Sequence, residues 1–126
     1  MVSIESRLSK GRIFRNYIEE HYPFGEFALI RVRGDRAEVG FVLADEDPNG
    51  WPSLFDQAWR MANHLKGRLV EEKLAEFTIA GVGKDLDFIT VSVIVDLTSF
   101  SSQDIPQVAN TIMSLLKEIN PYGDKI

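Results

Sequence analysis

The chain has 126 residues, a net charge of −5, 44% hydrophobic and 26% charged residues, and no cysteine. That balance fits one globular domain spanning 1–126 with an ordinary core, and the missing cysteines exclude disulfides, thiolate catalysis, iron–sulfur clusters and cysteine-based zinc sites. No apolar run reaches the ~20 residues of a membrane span, and Met1–Arg7 lack the pattern of a secretory signal, so no membrane association and a cytoplasmic location are expected. Residues 1–36 hold Arg7, Lys10, Arg12, Arg15, Arg31, Arg33 and Arg36 against Glu5, Glu19, Glu20, Glu26 and Asp35, whereas the remainder is strongly acidic. An acidic body without clustered bases disfavours nucleic acid as a partner.

In chain order, Ile4, Leu8, Gly11, Phe14 and Ile18 recur at helical spacing, predicting a helix over 3–21 capped by Ser3 and ended by Pro23 and Gly25. Gly11 inside it marks close packing against another backbone. Residues 26–44 alternate as a hairpin around Arg33-Gly34-Asp35-Arg36, where the integrin-type tripeptide is read as turn chemistry. Ser53-Leu54-Phe55-Asp56 has the form of a capping box opening a second helix to Lys66, with Gly67 as its stop and Trp59 in the core. Extended structure is expected after Gly67. A second hairpin then runs from Glu76 through a Gly83-Lys84-Asp85 turn into 87–97, and a closing helix spans Asp104–Asn120, with Pro106 in its first turn.

These elements give an α+β domain: an antiparallel sheet of four or five strands and three helices, in the order helix, hairpin, helix, hairpin, helix. Val39, Phe41, Phe77, Ile79, Ile89, Val91, Val93 and Val95 are expected on the sheet's inner face. Gly40, Val42, Thr78, Ala80, Thr90, Ser92 and Ile94 are expected on the outer one. An outer face of hydroxyls and small apolar groups, lacking the usual Lys and Glu, is expected to be covered by a second copy. The interface residues assigned on this basis are Thr78, Ala80, Thr90, Ser92 and Ile94, with Trp51 as an aromatic anchor beside Tyr22, Phe24 and Phe100.

The element order resembles two groups of small α+β proteins. One is the type III secretion chaperone-like group, acidic cytosolic dimers that hold client segments. The other is the roadblock/longin group of dimerising scaffolds, which places a further strand after its second helix. The resemblance implies a homodimer with a protein partner.

For chemistry, Asp45-Glu46-Asp47-Pro48-Asn49-Gly50 matches the core of a calcium loop, with oxygens available from Asp45, Asp47, Asn49, the Trp51 carbonyl and Asp56. A strand entering the loop and Pro52 at its eighth position both oppose that reading. Gly81-Val82-Gly83-Lys84 lacks the first glycine and the Ser/Thr of a phosphate loop and reads as a turn. Neither His21 nor His64 has a partner at ligand spacing, and no G-x-S-x-G anchors a nucleophile. The expected function is a non-enzymatic interaction or chaperone-like module acting as a homodimer, with no cofactor. The alternatives are a small ligand-binding domain or enzyme at the Asp45–Trp51 loop and the second helix's N-terminus, and an acidic inhibitor of the immunity type.

Overall fold

The computed structural model describes residues 8–22, 28–44, 50–85 and 88–120. Helix α1 spans Lys10–His21, strands β1 and β2 Ala28–Arg33 and Arg36–Ala44, helix α2 Trp51–Glu71, strands β3 and β4 Thr78–Asp85 and Phe88–Asp96, and helix α3 Ile105–Ile119. The fold is α+β, and the strands form one antiparallel sheet in the order β1-β2-β4-β3.

Helix α1 starts where Ser9 caps it, its hydroxyl accepting from the Arg12 N–H; the predicted cap, Ser3, lies outside the described residues. The helix is pinned to the first hairpin. The Gly11 N–H donates to the Gly34 carbonyl at 3.1 Å, and the Lys10 N–H donates to the Asp35 carboxylate at 3.0 Å. A side chain at Gly11 would meet the Gly34 oxygen at 2.5 Å and the Arg36 oxygen at 2.7 Å, which explains the glycine. Gly34 and Asp35 form the two-residue turn between the paired Arg33 and Arg36. Positive φ at Gly34 (60°), and not at Asp35, is the pattern of a type II′ turn.

Helix α2 starts near Gly50, with Pro52 in its first turn, so Ser53 and Asp56 lie inside it and make no capping box. It also runs through Gly67. The buried stripe Ala58, Met61, Ala62, Leu65 continues to Leu69, and holding that residue in the core outweighs the ~1 kcal/mol cost of one helical glycine. The actual stop is Lys73, at φ 60°. The Leu74 N–H reaches the Leu69 carbonyl and the Lys73 N–H the Val70 carbonyl, a Schellman motif in which both leucines are buried.

Helix α1 packs on β1 and β2, α2 on β3 and β4, and α3 contacts both other helices. Phe14, Ile18, Phe41, Val91, Val93, Val95, Leu65, Ile112 and Leu116 are wholly buried between the layers. Each contributes on the order of 1.5–3 kcal/mol of burial free energy.

The faces of β2 and β4 are as expected, but those of β3 are reversed. Thr78, Ala80 and Val82 pair with Val95, Val93 and Val91, and therefore face the helices. Thr78 is 6% and Ala80 3% exposed, and neither lies on the outer surface assigned to it. The physical reason is the register of β3 on β4, which turns Thr78, Ala80 and Val82 to the side where α2 packs. Ile79 is displaced to the outer face at 70% exposure. Strand β3 continues through Gly83-Lys84 to Asp85, so the expected turn there is strand, and residues 86–87 lie outside the described set. Trp59 is also not core; it is 48% exposed, with the Lys66 ammonium 5.5 Å from its ring.

Candidate interaction surface

Strand register lays out the outer face row by row. Leu29, Gly40, Ser92 and Gly81 form one row, Arg31, Glu38, Ile94 and Ile79 the next, and Val42, Thr90 and Gly83 a third. No described helix packs on this side. The centre is a floor of glycine and hydroxyl: Ser92 is 6% and Thr90 7% exposed, and the Ser92 hydroxyl donates to Glu38 at 2.7 Å. Beside it stand Ile79 and Ile94, cross-strand partners at 70% and 41% exposure, and Phe88 is 45% exposed. Toward β1 the face turns charged, with the Arg31 guanidinium 3.8 Å from Glu38. The apolar part of the surface is thus its β3 side.

Three of the sequence-assigned interface residues, Thr90, Ser92 and Ile94, share this face. Thr78 and Ala80 are beneath it, and the Thr78 hydroxyl donates to the Leu74 carbonyl at 2.6 Å. Trp51 is half-buried at the start of α2, with the Lys84 ammonium 4.8 Å over its ring. The other proposed anchors are engaged elsewhere: Tyr22 donates to Asn110 at 2.7 Å and Phe100 packs edge-on against Phe77. Phe24 lies outside the described residues.

Of the calcium-loop oxygens, Asp45, Asp47 and Asn49 also lie outside the described residues. Asp56 is exposed on α2 and paired with Arg60 at 2.8 Å. Among the described residues no group of three or more His, Cys, Asp or Glu could hold a metal ion. No helix of the described residues is long and apolar enough to cross a membrane.

Sequence reasoning missed one charged cluster. Glu118 of α3 accepts from Arg68 at 3.0 Å and from His64 at 3.1 Å, and Arg68 also reaches Glu71 and Glu72. Hydrogen bonds from Arg68 and His64 hold the Glu118 carboxyl below its usual pKa, and Arg68 is raised by Glu118 and Glu71. His64 and Arg68 are neighbours one turn apart on α2, but nothing local points to a residue 50 positions on. This cluster ties α2 to α3 at the surface. A shallow groove of about 410 Å³ lies beyond it, lined by Glu72, Leu74, Phe100, Asp104 and Val108.

No protein-family model, curated protein or solved structure matches this chain.

Proposed function

We propose that this chain is a protein-interaction module without catalytic chemistry that acts as a homodimer, and that the β3 side of its sheet is the assembly surface. The observation that carries the reading is the exposed Ile79–Ile94 pair beside the glycine and hydroxyl floor of a sheet face on which no described helix packs. Apolar surface of this kind is favourable to bury, by about 25 cal/mol per Å². The described polar groups support the same reading, since they join elements to one another: Tyr17 and Tyr22 share Asn110, Arg68 and His64 share Glu118, and Asp35 anchors α1.

The test is size-exclusion chromatography with light scattering, combined with thermal melts in calcium, magnesium or zinc. The reading expects the mass of two 14.3 kDa chains and melts indifferent to the ions. A mass of one chain overturns it. So does a melting temperature raised by a divalent ion and restored to baseline by Asp47→Ala, because a ligand that binds only the folded state must stabilise it.

A further inference from the structure

We infer that the second copy seats on the free edge of β3, antiparallel to it, merging the two four-stranded sheets into one of eight. This rests on the homodimer reading and specifies its geometry. Strand β3 is an edge strand. The Asp96 N–H donates to the Phe77 carbonyl, which fixes the phase of the β3–β4 ladder. Odd-numbered residues of β3 bond inward to β4, and the N–H and C=O groups of Ala80, Val82 and Lys84 point outward. No hydrogen bond among the described residues reaches these outward groups. The described pairing is continuous from Thr78 to Asp85, without a bulge or proline. Strand edges usually carry such features to block pairing.

The edge is also self-complementary. Two outward-facing strands related by a dyad must pair even-numbered residues with even-numbered ones. Centring the dyad on Gly81 sets Ala80 opposite Val82 and the bulky Ile79 opposite Gly83 of the other copy. The neighbouring in-phase choice, centred on Val82, would set Ala80 against the charged Lys84 and leave Ile79 without a glycine opposite it.

Helix α2 adds to the same side. Trp59, Asn63, Lys66 and Val70 follow one another at intervals of four, three and four residues, making one stripe. The stripe faces away from the Arg68–Glu118 contact with α3. Lys66 and Val70 line an apolar groove of about 230 Å³ together with Ile79 and Ala80. Trp59, Val70 and Ile79, at 48%, 65% and 70% exposure, are thus brought to one side by two different elements. The edge is about 27 Å long and the two layers about 20 Å deep, roughly 500 Å² in section. With side-chain relief this approaches the ~800 Å² per partner of a standard interface. Sheet pairing of this kind covers part of the exposed Ile79, seating it against Gly83 of the other copy, and joins the two outer faces into one.

The absence of native cysteine makes the test clean. In this register Gly81 faces its own copy as a non-hydrogen-bonded pair, with Cα atoms ~4.5 Å apart, within disulfide reach. A Cβ there has open space within the chain. Gly81→Cys is expected to give a covalent dimer under mild copper–phenanthroline oxidation, whereas Ser114→Cys on exposed α3 gives none. Ile79→Lys, at an exposed position, is expected to weaken the dimer on the order of a hundredfold, because the dyad applies each change twice. Circular dichroism melts confirm that each variant folds. A wild-type dimer that fails to cross-link through Gly81→Cys, or that is indifferent to Ile79→Lys, overturns the edge geometry and leaves the homodimer reading standing. A monomeric wild type overturns both.

Discussion

Gly11→Ala in the first turn of α1 and Gly67→Ala inside α2 are the same substitution, and the structure assigns them opposite signs. Intrinsic propensity favours alanine by about 1 kcal/mol in a helix interior such as Gly67, and by no more than that in a first turn. At Gly67 nothing lies within 4 Å of the new methyl, so that gain is realised and stability rises by about 1 kcal/mol. At Gly11 the methyl would sit 2.5 Å from the Gly34 oxygen, 2.7 Å from the Arg36 oxygen and 2.7 Å from Val32 Cγ1. Two of these are backbone atoms of the turn and its flank, so α1 must move away from the hairpin. Overpacking of this kind costs about 1–3 kcal/mol, and losing the Gly11–Gly34 hydrogen bond adds about 1 kcal/mol. The net expectation for Gly11→Ala is a loss of about 1–3 kcal/mol. Urea denaturation of wild type and both variants reads the difference as shifts of midpoint at constant slope. If Gly11→Ala stabilises the protein as Gly67→Ala does, the docking of α1 on the turn is wrong.

Three further outcomes are expected. Lys73→Gly should stabilise by about 0.5–1 kcal/mol, because Lys73 holds the left-handed conformation that ends α2 and glycine adopts it without steric cost; a destabilised variant in the same urea assay would refute the Schellman assignment. The Glu118 carboxyl, depressed by Arg68 and His64, contributes stability that is present above its ordinary pKa. That contribution is lost as pH falls through the lower folded value, and Glu118→Gln should remove this part of the acid limb in melts from neutral pH downward; an unchanged limb refutes the contact. Thr78→Val removes the hydroxyl donated to the Leu74 carbonyl, leaves that oxygen without this bond, and should cost about 1–2 kcal/mol by thermal melting; a neutral result would refute the inward placement of Thr78.

Element order and type were written in the sequence because hydrophobic period and turn chemistry are local. Ile89, Val91, Val93 and Val95 declared a strand with one wholly buried face, and Gly11 declared a close approach that the Gly34 carbonyl now explains. The face of β3 was not legible. Phe77, Ile79, Ala80 and Val82 offer apolar residues in both phases, and the choice is made by the register to β4 and by the side on which α2 packs. The helix stop failed similarly: Gly67 is a strong local signal, overridden because Leu69 reaches the core two residues later.

The sequence alone therefore determined the α+β class and the order of helices and hairpins, that one face of the sheet is buried, and that cysteine chemistry is absent. Tertiary structure alone decided that β3 lies at an edge, that Trp59, Val70 and Ile79 gather beside it, and that Glu118 closes on His64 and Arg68. The division follows from range. Periodicity and capping act over a few residues, whereas strand order and helix phase are fixed by contacts between elements distant in the chain, and the preferences of a short segment carry almost none of that information.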